Sequence, residues 1–178
     1  MNIGTKDIEN SLNIWRNSRN IKTFPLTIKD DMLKEVEEVR LAIKNNDIEN
    51  YVEELADVAI FALNGIGLLN IVYNKKSFSV ESTLEHLESC INNINMTIPY
   101  QTYTLLCTIV AICEELVAAK KYDFKKVLNE KILTINSRFQ DPKQKKDWIQ
   151  NGVSGKWEKM KNQPKETLYV ANYGKCKL

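Results

Sequence analysis

Histidine is nearly absent: His86 is the one imidazole in 178 residues, and the four cysteines, Cys90, Cys107, Cys113 and Cys176, include no CxxC pair. A zinc site of imidazole and thiolate ligands is therefore not expected, and the thiols read as reduced, structural side chains. Glycine and proline are also sparse, six and four in the whole chain. So few turn-formers disfavour a many-stranded β architecture. Charge of one sign is lacking too, since 25 basic and 23 acidic residues leave a formal net charge of +2. No global field calls for a nucleic acid or an anionic membrane, so any attraction to phosphate has to be local. The opening MNIGTKDIENSLNIW puts acids and amides where a secretory signal needs an unbroken apolar stretch, and no later segment reads as a membrane span. The expectation is a soluble, cytoplasmic protein with no membrane partner and no specific nucleic acid.

What is present is apolar periodicity. Hydrophobic side chains recur at three- and four-residue spacing nearly throughout, and at 43% of the composition they suffice for one ordinary core. The fold class expected is all-α, a single domain over 1–178 built as an antiparallel helical bundle, with an irregular lysine-rich segment from about residue 140. The spacing predicts helices over 5–18, with Ile8, Leu12 and Trp15 on one stripe, and over 28–44, with Met32, Val36, Val39 and Ile43 on one face. Thr27 is the N-cap candidate for the latter. Asn45, Asn46 and Asp47 supply a turn, and a helix over 48–71 follows. From Leu55 it is apolar almost all round, LADVAIFALNGIGLL, which predicts the most buried element. Further helices are predicted over 80–95, 100–120 and 123–138, bounded by Pro99 and the Lys121-Tyr122 junction.

The C-terminal lysines Lys143, Lys145, Lys146, Lys156, Lys159 and Lys161 are diluted by Asp141, Asp147 and Glu158 and read as solvated surface. Trp148 and Trp157 read as anchors for that segment rather than as base-stacking groups, and the tail beyond has no assigned role.

Four acids stand out from this background. Glu35 and Glu38 are three apart on one predicted helix, Glu54 and Asp57 three apart on the next, so each helix shows a carboxylate pair on one side. The short turn between them brings the pairs face to face. Asp57 lies inside the apolar run, where an ionised carboxylate needs a cation, a hydrogen-bonding shell or a proton. Hard oxygen donors without a nearby histidine or cysteine select magnesium or manganese. No E-x-x-H pair exists to make a di-iron bundle. The competing reading of Glu35 and Glu38 is solvated helix surface.

KEVEEVRLAI followed by ENYVEELADVAIFAL resembles the all-α MazG-type nucleoside triphosphate pyrophosphohydrolases, whose superfamily includes dimeric dUTPases, dCTP pyrophosphatases and phosphoribosyl-ATP pyrophosphohydrolases. That motif reads E-E-x-x-E, a spacer, then E-x-x-D. Glu35, Glu38, Glu54 and Asp57 take the metal-ligand places, and Lys34 replaces the first acid. VLNEKILTINSRF is similar to the family's N-E-K and R-F segment, which makes Lys131 and Arg138 phosphate-gripping cations by resemblance.

The resemblance implies Mg2+ (or Mn2+) as cofactor, a nucleoside triphosphate as substrate, cleavage between the α and β phosphates, and a homodimer or homotetramer. Glu38 is the candidate general base, since the helical wheel sets it farther from the apolar face than Glu35. Trp15 and Phe24 are candidates for the wall against the base, with plain packing as the alternative. A phosphoribosyl-ATP pyrophosphohydrolase ranks second, because Phe61 stands where that branch has a histidine. A non-catalytic helical nucleotide-binding or oligomerisation module is the alternative of another class.

Overall fold

The structure, a computed structural model, describes residues 27–69, 82–137 and 169–178, and outside them only Asn10 and Ile14, both helical. Helix α1 spans Ile28–Lys44, with Asp30 and Asp31 in its first turn and Lys44 in its last, charges that complement the helix dipole. It buries Ile28, Met32, Val36, Val39 and Ala42. Ile43, expected on that face, is instead 54% exposed, because the three-residue step from Val39 points Ala42 inward and the fourth residue passes the stripe. Thr27 occupies the N-cap position, but its side chain makes no capping hydrogen bond.

The turn at Asn45–Asp47 follows from its residues. Asn46 adopts a left-handed φ of 54°, which asparagine tolerates. Asp47 then caps helix α2, Ile48–Leu68, by accepting a hydrogen bond from the Asn50 N–H at 3.0 Å. α2 is the central element, packed against α1 and against the two later helices α4, Pro99–Ala119, and α5, Phe124–Ser137. Its Leu55, Leu63 and Ile66 are fully buried, each contributing about 2 kcal/mol of hydrophobic stabilisation. Gly65 lets α4 approach closely: a Cβ there would stand 2.9 Å from Leu106 Cδ1. The predicted extension of α2 through residues 70 and 71 lies outside the described residues, as does the predicted 5–18 helix apart from Asn10 and Ile14.

Helix α3 is shorter than the pattern suggested, Leu84–Asn92, because the Thr83 hydroxyl accepts from the His86 N–H at 3.1 Å and fixes the start. Pro99 opens α4 at a position where its missing N–H costs nothing. Lys121, with φ 62°, turns the chain into α5, whose first N–H groups at Lys125 and Lys126 donate to Asp123 Oδ1 at 3.0 and 3.1 Å.

α4 corrects one sequence expectation. With 21 residues and a mean hydropathy of 1.6 over its most apolar window, it is long and apolar enough to cross a membrane by length and composition. Thr102, Thr104 and Thr108 interrupt the apolar run of this helix, so its pattern alone does not read as a span. In the structure 44% of that window is buried, with Leu106, Ile109, Val110, Ile112 and Cys113 in the core.

All four cysteines are buried, and none forms a disulfide. The chain closes with an unanticipated element, a 3-10 turn at Tyr173–Cys176 that packs on α5 and α2. It is tied down by the Asp123 N–H donating to the Cys176 carbonyl at 2.8 Å and the Leu178 N–H to the Lys121 carbonyl at 2.9 Å.

Candidate metal centre

Glu35 and Glu38 project from α1 at the height where Glu54 projects from α2, since the three stand at comparable distances from the Asn45–Asp47 turn. One carboxylate oxygen from each of the three lies within 4.8 Å of the others. A single hard cation with oxygen ligands at about 2.0–2.6 Å accepts donors spaced this way. Burial is graded across the trio: Glu54 is 7% exposed, Glu35 half-buried and Glu38 exposed. The desolvation expected to be sharpest at Asp57 falls on Glu54 instead, while the Asp57 side chain keeps 19% of its surface. The apolar wrap of α2 is closed on the side facing α1, and Asp57 sits one turn on toward α5.

The carboxyls crowd one another. Burial, then the charge of Asp57, then that of Glu38, lift Glu35 to about 7. Burial and the Asp57 charge lift Glu54 to about 9, against the pull of Lys131. A side-chain hydrogen bond with Glu54 and the charge of Lys131 offset part of the rise at Glu35. A cation among these oxygens would relieve the same repulsion, and the convergence of the three carboxylates is the observation on which a metal fits the site.

Lys131, expected to grip phosphate, is 3% exposed and already engaged. Its Nζ donates to Glu53 Oε1 at 2.8 Å and pairs with Asp57 Oδ2. Burial alone would lower the ammonium's pKa, but Asp57 and Glu53 outweigh it and hold it above the usual lysine value. Asp57 thus has a cation within the protein itself, and it stands beside the three-acid cluster rather than within it. Glu53 was not singled out from the sequence. The signal was there, because Glu53 and Asp57 are four apart and stack on one face of α2.

Of the remaining candidates, Phe61 lies half-buried on α2 against the core. Trp15, Phe24, Arg138, Trp148, Trp157 and the lysines of 143–161 lie outside the described residues. The arrangement can hold a divalent cation between two helices, with a buried ammonium alongside. No protein-family model, curated protein or solved structure matches the chain.

Proposed function

We propose that the chain is a magnesium-dependent nucleoside triphosphate pyrophosphohydrolase, converting a (d)NTP into a (d)NMP and pyrophosphate. The convergence of Glu35, Glu38 and Glu54, with burial and mutual repulsion raising Glu35 and Glu54, carries the reading. The donor set is all carboxylate oxygen, which suits Mg2+ or Mn2+. When bound, such an ion neutralises phosphate charge and acidifies a bound water.

The chain's own residues do the rest. Glu35 and Glu54 would hold the ion as carboxylates, giving up the protons that their raised pKa values favour in its absence. Glu38, the most exposed of the three, is the carboxylate best placed to accept the proton of the attacking water. Asp57 and Glu53 fix the Lys131 ammonium, whose charge favours an incoming polyphosphate. The bond broken joins the α phosphorus to its bridging oxygen, and pyrophosphate leaves with that oxygen. A homodimer or homotetramer and a phosphoribosyl-nucleotide substrate belong to the same proposal as variants of it.

The experiment is pyrophosphate release from a panel of canonical and modified triphosphates with magnesium, manganese or chelator, on wild type, Glu54→Gln and Asp57→Ala. Metal-dependent release abolished by both substitutions is expected. One observation favours a second reading: Lys131 already satisfies Asp57 and Glu53, as in a structural polar cluster. Under that non-catalytic reading no triphosphate is cleaved and Glu54→Gln stabilises the fold.

A further inference from the structure

We infer that the Tyr173 hydroxyl is a further substrate contact, a hydrogen-bond donor delivered by the C-terminal turn to a phosphate oxygen of a metal-bound polyphosphate beside Glu53 and Asp57. The inference rests on the metal-centre reading and names a residue that the acid motif does not contain.

Tyr173 is 4% exposed, and among the described residues its hydroxyl has no hydrogen-bond partner. Buried phenols ordinarily find one, since an unmet buried hydroxyl loses its hydration without return. The hydroxyl lies in the field of the acid cluster: after burial itself, Glu53, Asp57 and Glu54 are the charges that push it far above the ordinary tyrosine range. A phenol, which ordinarily titrates at about 10, is protonated at neutral pH and able to donate. None of those carboxylates accepts its hydrogen bond, and Glu53 and Asp57 are turned to Lys131.

The ring has little freedom to seek another acceptor, because the turn is pinned on both sides. Before it, the Asn172 N–H and the Tyr169 hydroxyl donate to Glu130 Oε2 at 2.9 and 2.7 Å. After it, the Cys176 carbonyl accepts from the Asp123 N–H at 2.8 Å. The missing partner is thus an acceptor that arrives from outside. Among so many carboxylates a bare anion is repelled, so an anionic acceptor has to come with its own cation, as a magnesium polyphosphate does. A buried water is the other acceptor that would fit.

The test is calorimetric titration of wild type and Tyr173→Phe with Mn2+ alone, and with a non-hydrolysable α,β-imido triphosphate in the presence of magnesium. Phenylalanine keeps the ring and its packing, and a thermal melt checks that the variant is folded. Unchanged Mn2+ affinity with about tenfold weaker analogue binding is expected for the loss of one hydrogen bond to a charged group. Equal analogue affinity in the two proteins overturns the inference, leaves the metal centre standing and assigns the hydroxyl to a water. Parallel weakening of Mn2+ overturns it as well, since the hydroxyl then serves the ion rather than the substrate. Wild type that binds neither Mn2+ nor the analogue overturns the metal-centre reading and the inference with it.

Discussion

Lys131 of α5 pairs with Asp57 of α2 inside the bundle, with only 4% of the lysine side chain left exposed. The same ammonium holds Glu53 one turn earlier on α2. Its charge also acts on Glu35 and Glu54, in addition to its own two partners. Burial and the mutual repulsion of these acids outweigh that charge and raise Glu35 and Glu54.

Removing the ammonium takes from Glu53 and Asp57 the cation that both engage. Lys131→Met, close in length and apolar, is expected to cost about 3 kcal/mol at pH 7, at the low end for a broken buried pair because Asp57 and Glu53 keep some water. Urea denaturation of the single variant and of the double variant with Asp57→Asn checks this. The double variant should recover part of the loss, and an unchanged midpoint for Lys131→Met would show that the pair is energetically idle.

The raised carboxyls give the metal-free protein a distinctive pH response. A group whose folded pKa lies above its unfolded value stabilises the fold fully below the unfolded value, and that contribution is lost as pH rises through the folded one. Glu35 and Glu54 start from 4.5 and stand at about 7 and about 9 in the fold. In chelator, the thermal midpoint should therefore fall between about pH 5 and pH 9. Glu54→Gln should flatten that slope, because a neutral amide has no proton to lose. A midpoint that climbs over the same range, with the slope unaltered in Glu54→Gln, would contradict the crowding of these acids.

Part of this organisation could be read from the residues alone. The Met32, Val36, Val39 stripe and the Asn45-Asn46-Asp47 turn gave both ends of α1 and the start of α2, because local periodicity and a capping aspartate decide them. Glu35, Glu38 and Glu54 were legible as a cluster for the same reason: two amphipathic helices and a short turn leave little freedom in how they face each other. What was not legible depends on contacts distant in sequence. The engagement of Lys131 by Glu53 spans 78 positions, and the bonds of Glu130 to Tyr169 and Asn172 span 39 and 42. The start of α3 was a different kind of miss, since Thr83 three residues before His86 is a capping signal that the apolar pattern upstream obscured.

Divalent metal should stabilise the folded protein by mass action, because the cluster exists only when α1 and α2 are paired. With free ion at a hundred times its Kd, the gain is about 2.7 kcal/mol, or roughly 8 °C in the melting midpoint for a chain of this size. Differential scanning calorimetry with Mg2+, with Mn2+ and after chelation measures it. The shift should disappear in Glu54→Ala and persist in Glu37→Ala, whose side chain pairs with Arg40 outside the cluster. Equal shifts in both variants would mean that the ion binds elsewhere.

Glu130 is the latch of the C-terminal turn. Burial would raise its carboxyl, but the Asn172 N–H, the Tyr169 hydroxyl and the nearby Lys175 outweigh that and hold it below the usual glutamate value. For a lowered group the stabilisation is present above the unfolded pKa and is lost as pH falls through the folded one, so the latch should loosen only under acid conditions. Hydrogen exchange reads this directly. Glu130→Ala should speed exchange at the amides of Asn172 and Leu178 while leaving the α1 and α2 amides protected, because those helices are held by the core and not by the turn. If the turn delivers Tyr173 to substrate, Glu130→Ala should also weaken the triphosphate analogue in the direction of Tyr173→Phe without altering Mn2+ binding. Faster exchange at the turn with undiminished analogue affinity would separate the latch from the site and leave Glu130 a purely structural anchor.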